Sequence, residues 1–138
     1  MPVIRPAEAG DLEAVAAIQS ASPEASHWPV ADYFQYQFTV AVYGGAVVGF
    51  LVWRPLAEGE CEVLNLAVAP EFRRQGVARE LLNPLLNLRG TQAFLEVRES
   101  NRAARIFYKS MGFQEVNVRR DYYASPAESA IVMKFHSC

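Results

Sequence analysis

The chain has 138 residues, of which 51% are hydrophobic and 20% charged, and its formal net charge is −2. This length is ordinary for one globular domain and is sufficient to bury a core without disulfides or metals. The small negative charge excludes the broad basic face that is typical of nucleic-acid-binding proteins. We therefore expect a single domain over residues 1–138 and no nucleic-acid partner.

The cysteine and histidine content indicates an intracellular protein without a metal site. Two cysteines, Cys61 and Cys138, are too few to form a disulfide framework. We interpret Cys61 as a small hydrophobic residue of a strand rather than as a nucleophile. His27 and His136 are isolated and lack the spacing of metal ligands. The N-terminal stretch MPVIRPAEAGDLEAV contains no apolar segment of the secretory type. We expect a reducing, cytoplasmic setting and no metal.

The hydrophobic pattern predicts short strands and helices along the whole chain. Asp11 is placed to cap the first helix, because Leu12, Val15 and Ile18 follow it at helical spacing. In chain order we predict a strand at 3–5, a helix from 12 to about 18, a loop at 20–29, a helical piece at 32–37, strands at 38–43, 46–54 and 60–69, a helix at 76–88, a strand at 94–98, a helix at 101–111 with Gly112 as its C-terminal cap, and strands at 113–122 and 130–135. This order predicts an α/β (α+β) fold with a mixed, largely antiparallel sheet of about seven strands and about four helices.

The stretch from Tyr33 to Trp53 carries no charged residue and is long enough to span a bilayer. Gln37 interrupts it, however, and Gly44 and Gly45 lie near its middle. Two apolar runs around a glycine pair are typical of a β-hairpin with a tight turn. The sequence therefore predicts a hairpin here and no membrane partner.

The segment PEFRRQGVARELL, residues 70–82, starts a helix without a good capping residue. A helix N-terminus leaves backbone N–H groups unsatisfied and carries a partial positive charge. Gly76 lets another group approach the backbone closely, and Arg73, Arg74 and Arg79 add positive charge. A ligand phosphate can replace the missing cap. A plain exposed basic loop is the alternative interpretation.

Arg73-Arg74-Gln75-Gly76-Val77-Ala78 resembles the (Gln/Arg)-x-x-Gly-x-(Gly/Ala) signature of the GCN5-related N-acetyltransferase (GNAT) superfamily. The preceding LNLAVAPEF is similar to that family's strand and loop into the motif. The resemblance implies the GNAT fold, acetyl-CoA as cosubstrate, loop amides that hold its pyrophosphate, and a strand N–H that polarises the thioester carbonyl. The cofactor-binding residues that it implies are Leu66, Ala67, Val68, Arg73, Arg74, Gln75, Gly76, Val77, Ala78, Arg79 and Asn101.

The downstream stretch FLEVRESNRAARIFYKSMGFQEVNVRRDYY is similar to the RimI type of this family, the ribosomal-protein alanine N-acetyltransferases. The similarity implies that Glu96 is the general base and that Tyr108 is the general acid for the departing CoA sulfur. It also implies that Asn101 contacts the cofactor and that Tyr122 and Tyr123 help to wall the peptide site.

The residues by themselves leave simpler alternatives open. Glu96 fits a solvent-facing strand position, and Glu62 is a second candidate for the base. Tyr108 fits a core position on its helix, and Asn101 fits a plain N-cap. Adjacent tyrosines on one strand face opposite ways, so one of the Tyr122–Tyr123 pair is expected in the core and the other exposed.

We expect an enzyme that acetylates the N-terminal α-amine of a protein. The alternatives are a GNAT enzyme that acetylates a small-molecule amine or a lysine side chain, and a non-catalytic acyl-CoA-binding module. Two features depart from the family pattern: Pro84 falls inside the helix after the motif, and residues 20–28 have only a loose likeness. Pro84 is expected to kink or end that helix.

Overall fold

Seven strands and three α-helices form within residues 1–22, 27–124 and 127–136, which are the residues that this computed structural model describes. The strands are β1 Val3–Pro6, β2 Gln37–Tyr43, β3 Ala46–Pro55, β4 Glu60–Val68, β5 Gln92–Arg98, β6 Gln114–Ala124 and β7 Ala127–His136. The helices are α1 Leu12–Ser20, α2 Val77–Leu86 and α3 Arg102–Ser110, with short 3₁₀ turns at Ala9–Asp11, Val30–Gln35 and Pro70–Phe72. Residues 23–26 of the loop predicted at 20–29, and Cys138, lie outside the described residues.

The chain divides into two compact units, and β4 contributes to both. Unit 1 contains Met1–Arg54 and Val63–Asn87, and unit 2 contains Pro55–Glu62 and Leu88–Cys138. The expectation of one domain over residues 1–138 stays a prediction.

Unit 1 is built on strands in the order β1-β2-β3-β4. β2 pairs antiparallel with β1 and with β3. Tyr43 pairs with Ala46 across Gly44 and Gly45, whose φ angles of 58° and 81° suit a two-residue hairpin turn. The predicted hairpin is therefore confirmed. In the described part of the chain, no helix is both long and apolar enough to cross a membrane.

The core of unit 1 lies between α1 and the sheet. Val15 and Ile18 of α1 pack with Tyr33, which belongs to the 3₁₀ turn Val30–Gln35 rather than to the α-helical piece expected at 32–37. Alternate residues of the strands complete this cluster, as the two-residue period of a strand requires. The remaining buried members are Phe38, Val40, Phe50, Val52 and Ala67.

Gly49 brings the start of α2 close to the sheet of unit 1. A Cβ atom at Gly49 would lie 3.1 Å from the Ala67 carbonyl oxygen and 3.2 Å from side-chain carbons of Val77 and Leu81. These distances are tighter than ordinary packing contacts. A glycine here therefore allows β3, β4 and the first turns of α2 to pack in direct contact.

Pro84 lies inside α2, which runs from Val77 to Leu86 instead of over the predicted 76–88. Proline has no N–H, so the Glu80 carbonyl loses its intrahelical donor. The helix continues past Pro84 and then ends, with the Asn87 N–H donating to Asn83 O at 3.0 Å.

The prediction that Asp11 caps α1 with its side chain is wrong. Asp11 precedes α1, but no cap hydrogen bond from its side chain is present. Its carboxylate accepts two hydrogen bonds from Arg5, at 2.8 and 2.9 Å, and one from the Glu8 N–H at 2.7 Å. The Arg5 hydrogen bond comes first among the causes that hold the pKa of Asp11 below its ordinary value. A bidentate guanidinium competes successfully with the helix for these oxygens.

Unit 2 contains the other sheet pairings. Glu60–Glu62 of β4 pair in parallel with Gln92–Phe94 of β5, and β7 pairs antiparallel with both β5 and β6. Along β5 the buried residues Ala93, Leu95 and Val97 alternate with partly exposed ones, so Glu96 belongs to the more exposed face. β5 starts two residues earlier than predicted, and β6 and β7 are longer than predicted.

Gly112 ends α3 as predicted. Its φ is 102°, its N–H donates to Lys109 O, and the Phe113 N–H donates to Tyr108 O, each at 3.0 Å. These two bonds form the Schellman arrangement, which needs a left-handed residue just beyond the helix. A Cβ on Gly112 would lie 2.9 Å from a ring carbon of Phe135.

We expect Gly112→Ala to destabilise the protein by about 2 kcal/mol, from a strained backbone and a forced shift of Phe135. Gly10→Ala is the matched control, because its Cβ would meet nothing within 4 Å and its φ is not positive. Urea unfolding of both variants measures the difference. Equal stability of the two variants would contradict this account of the turn.

Candidate functional site

The loop before α2 presents backbone donors without a capping side chain. Gly76 stands at the N-cap with φ 84°, and no side-chain cap bond to α2 is present. Arg74 has φ 63° and is the one non-glycine residue with positive φ among those described. Left-handed residues in such a loop turn successive N–H groups toward one concave side, where an anion binds. A Cβ on Gly76 would meet nothing within 4 Å, so the backbone there is open to a ligand.

The side chains of this loop divide into two groups. Arg73 donates from Nε to Val68 O at 3.1 Å, and from Nη2 to Ala21 O and Ser22 Oγ at 3.2 and 3.1 Å. It therefore binds the C-terminal end of α1, where the helix dipole favours a cation. Gln75 donates to Glu71 O at 3.1 Å.

The exposed arginines Arg74 and Arg79 form the second group. Arg73 is exposed as well, but its guanidinium is already bound within unit 1. That Arg73, Arg74 and Arg79 surround an anion stays a prediction.

A buried polar network fixes the end of β4 in unit 1. Asn65 Nδ2 donates to Gln19 Oε1 at 3.2 Å and to the Tyr33 hydroxyl oxygen at 3.0 Å, and the Tyr33 hydroxyl donates to Gln19 Oε1. Gln19 Nε2 donates to Trp28 O at 2.8 Å. Burial is the first cause that raises the pKa of Tyr33. The buried polar atoms of these side chains are thus hydrogen-bonded to one another inside the core.

The same network reaches one of the predicted oxyanion donors. The Leu66 N–H donates to Asn65 Oδ1 at 3.0 Å. Of the strand amides at Leu66, Ala67 and Val68, the first therefore already has an acceptor. Sequence interpretation missed Asn65, although β4 places it in register with the buried residues Cys61, Val63 and Ala67. A polar amide at a core position of a strand indicates a buried hydrogen-bonding partner.

In unit 2 an ion pair holds one oxygen of Glu96. Arg119 Nη1 lies 2.7 Å from Glu96 Oε1, and the side chains are 50% and 18% exposed. The other oxygen, Oε2, is buried and accepts no hydrogen bond from the residues that the structure describes. A buried acceptor without a partner costs about 1–3 kcal/mol, so it calls for a functional explanation. Arg119 was not among the predicted site residues.

Tyr122 lies beside this ion pair. The Arg119 guanidinium carbon is 4.3 Å from the centre of the Tyr122 ring. The charge of Glu96 is the main cause that raises the pKa of Tyr122. Burial, a hydrogen bond between the Tyr122 hydroxyl and the Glu96 carboxylate, and the charge of Glu62 add to it. Glu62 also acts on Arg119. Both candidate bases therefore contribute negative charge to the same arginine and tyrosine.

The expectation that Tyr122 and Tyr123 face opposite ways is wrong, because their ring centres lie 5.1 Å apart. The register of β6 with β7 shifts between Arg119 and Tyr123, which interrupts the regular alternation of side chains. Tyr122 is exposed, whereas Tyr123 is partly buried with the Arg98 guanidinium carbon 4.2 Å from its ring centre.

Asn101 caps α3, because its Oδ1 accepts from the Ala104 N–H at 3.1 Å. Cys61 is buried, and burial raises the pKa of its thiol, which is unfavourable for a nucleophile.

Tyr108 is buried in unit 2, with its ring edge-on to Phe113 at a centroid distance of 5.4 Å. Burial raises the pKa of its phenol well above the ordinary value. Its hydroxyl therefore stays protonated at neutral pH, which a general acid requires. The core position and the predicted acid role are compatible.

Residues 11–113 match the model of the Acetyltransferase (GNAT) family. The chain belongs to this family. The predicted fold class, the family and the acetyltransferase activity are confirmed. The loop before α2, Glu96, Asn101 and Tyr108 lie within the matched segment of this GNAT enzyme, whereas Arg119 and Tyr122 lie beyond it.

Individual relatives resemble the RimI type. The [ribosomal protein bS18]-alanine N-acetyltransferase of Escherichia coli (strain K12) is 38% identical over 107 residues, 73% of this chain and 70% of that protein. Its crystal structure superposes with a TM-score of 0.82 at 30% identity, covering 100% of this chain and 96% of that one. N-alpha-acetyltransferase RimI of Mycobacterium tuberculosis is 39% identical over 95 residues, 66% of this chain and 60% of that protein.

A second solved structure is also similar over nearly the whole chain. The crystal structure of Ard1 from Thermoplasma volcanium superposes with a TM-score of 0.88 at 30% identity, covering 99% of this chain and 98% of that one. The described residues of this GNAT enzyme contain no group of three His, Cys, Asp or Glu side chains that could hold a metal.

We expect Tyr33→Phe to destabilise the enzyme by about 1–2 kcal/mol, because Gln19 Oε1 loses a donor and Asn65 Nδ2 an acceptor inside the core. Tyr43→Phe is the control, since Tyr43 is exposed, and it should change stability by less than about 0.5 kcal/mol. Thermal and urea unfolding report both values. A neutral Tyr33→Phe would show that the buried network contributes nothing to stability.

Proposed function

We propose that this enzyme transfers the acetyl group of acetyl-CoA to the N-terminal α-amine of a cytoplasmic protein, in particular a ribosomal protein. The observation that carries the proposal is the buried Glu96 Oε2, to which no described residue donates while Oε1 is held by Arg119. An ionised carboxylate oxygen only accepts hydrogen bonds. An amine or ammonium N–H is the donor that this oxygen lacks. The relatives from E. coli and M. tuberculosis, whose names specify alanine and α-amine acetylation, support the same acceptor.

The loop before α2 fits the pyrophosphate of acetyl-CoA. The open backbone at Gly76, the left-handed Arg74 and the uncapped first turn of α2 supply N–H donors. Helix N-termini of this kind bind phosphates. Arg74 and Arg79 add exposed positive charge, and the bound cosubstrate supplies an activated acetyl thioester.

The carbonyl of that thioester needs a donor as negative charge develops on its oxygen. The Leu66 N–H already donates to Asn65 Oδ1. We therefore assign the hydrogen bond to the thioester oxygen to the backbone N–H of Ala67 or Val68. One preorganised donor of this type is worth about 3 kcal/mol of barrier. The Asn65 network keeps the strand that carries these amides in a fixed conformation.

Glu96 is the base in this proposal. An α-amine has a pKa near 8, so its ammonium form must lose one proton before the nitrogen can attack. Glu96 Oε2 accepts that proton directly or through one water. Glu62 supports the reaction through its negative charge on Arg119 and Tyr122, and it is the alternative base.

Tyr108 is the acid in this proposal. The amine nitrogen forms a bond to the carbonyl carbon, the carbon–sulfur bond breaks, and the departing sulfur takes the phenol proton of Tyr108. The nitrogen then loses its second proton, which returns through water to the Tyr108 phenolate, and Glu96 releases its proton to solvent. The products are an acetylated amine and CoA. Because burial raises the pKa of Tyr108, the phenol is protonated at neutral pH before transfer.

The acceptor is tested by measuring CoA release from acetyl-CoA with three amines. The first is a peptide that starts with alanine and has the N-terminal sequence of a ribosomal protein; the second is the same peptide with a blocked N-terminus and a free internal lysine; the third is a polyamine. We expect turnover with the first alone. Turnover with only the second or third would replace this acceptor by a lysine or a small amine. Tight acetyl-CoA binding without turnover of any amine would favour an acyl-CoA-binding module.

We expect Gly76→Ala to weaken acetyl-CoA binding by about tenfold, because a left-handed alanine costs about 1–2 kcal/mol and the loop relaxes away from its anion-binding form. Gly90→Ala is the matched control. Gly90 also has a positive φ, 70°, and open space at its Cβ. Calorimetric titration with acetyl-CoA compares the two variants. Equal affinities would remove the Gly76 loop from the phosphate site.

A further inference from the structure

We propose that Arg119 positions the acceptor amine of this reaction, by holding Glu96 through one carboxylate oxygen so that the other is reserved for the substrate ammonium. This inference rests on the proposed function, because it assigns Glu96 to the acceptor. It makes Arg119 a positioning residue rather than a catalytic residue, since it acts through Glu96.

The geometry of the Arg119–Glu96 pair differs from that of two other arginine–carboxylate pairs in this protein. Arg5 binds both oxygens of Asp11 at 2.8 and 2.9 Å, and Arg105 binds both oxygens of Glu115 at 2.9 and 3.2 Å. A guanidinium has a planar fork that matches a carboxylate in this two-bond manner. Arg119 instead makes one bond, from Nη1 to Glu96 Oε1.

The Tyr122 ring explains how Arg119 keeps this one-bond arrangement. The guanidinium carbon lies 4.3 Å from the centre of that ring. Contact with the ring face and the 2.7 Å bond to Glu96 together fix the plane of the guanidinium. Glu96 Oε2 is consequently left buried, with no partner among the described residues.

The charges around Oε2 specify the kind of group that completes the site. Glu62 and Glu96 both act on Arg119 and Tyr122. The Arg119 side chain is half exposed, so solvent weakens its effect and Glu96 keeps part of its negative charge. A carboxylate oxygen in such surroundings accepts from a cationic donor, and a primary ammonium is the simplest group that supplies both the N–H and the positive charge.

Arg120 provides a matched control for Arg119. The two arginines are adjacent on β6, in the part of the strand where its pairing with β7 is irregular. Arg120 is exposed, and within the described part of the chain its side chain makes no hydrogen bond or ion pair. Removing either arginine therefore removes one positive charge, but only Arg119 is bonded to Glu96.

The test is steady-state kinetics of Arg119→Ala, Arg119→Lys and Arg120→Ala, with the amine that the wild-type enzyme turns over. For Arg119→Ala we expect kcat to fall about tenfold to a hundredfold, as a misplaced reacting group implies. KM for the amine should not rise, because the site becomes more negative, and KM for acetyl-CoA should stay unchanged. Arg119→Lys should recover part of kcat, and Arg120→Ala should behave as wild type.

Three results would overturn the inference. The first is an unchanged kcat in Arg119→Ala, and the second is a raised KM for the amine without loss of kcat, which would mark an ordinary substrate contact. The third is an equal effect of Arg120→Ala, which would indicate a general charge effect. Wild-type enzyme that turns over no amine would defeat the proposed function and this inference together. Normal wild-type turnover with an unaffected Arg119→Ala would defeat this inference alone.

Discussion

A carboxylate oxygen that is buried without a hydrogen-bond partner is the constraint on which the account of catalysis depends. Glu96 lies on the more exposed face of β5, whose other face supplies the core residues Leu95 and Val97. The strand thus keeps Glu96 in place by burying its neighbours, and Arg119 fixes one of its oxygens. The free energy lost at Oε2 is recovered only when a donor binds. In the proposed mechanism that donor is the acceptor amine.

The loop before α2 also contains polar groups without partners, but here they are hydrogen-bond donors instead of an acceptor. The helix begins at Gly76 without a side-chain cap, so backbone donors lack acceptors. The surrounding structure supports this exposed end: Gly49 lets α2 pack directly on β3 and β4, and Arg73 joins β4 to the end of α1. The uncapped start of α2 and the buried Glu96 oxygen both leave polar groups without partners, which costs stability. Features of this kind are expected at sites of binding and catalysis.

The sequence predicted the features that have a local signature. The Gly44–Gly45 turn, the Gly112 cap and the uncapped start of α2 all depend on residues close in the chain. The family motif then placed Glu96 and Tyr108. The Asp11 cap failed because Arg5 competes for the carboxylate through a tertiary contact.

The pairs that bring distant residues together had no such signature. Arg119 pairs with Glu96 across a separation of 23 residues, and Asn65 binds Gln19 across 46. Their partners follow from strand pairing and helix docking, which local spacing does not encode. Only the alternation along β4, which puts Asn65 among buried residues, pointed to a hidden polar contact.

Single-turnover acetyl transfer by wild-type enzyme, Glu96→Gln and Glu62→Gln tests the role of Glu96 most directly. Each protein is first shown by titration to bind acetyl-CoA, so that the rate reports on the acceptor side alone. The account predicts that Glu96→Gln slows transfer by roughly 10²- to 10⁴-fold, as loss of a general base does, and that Glu62→Gln has a much smaller effect. A Glu96→Gln enzyme with the wild-type rate, or a larger loss in Glu62→Gln, would contradict it.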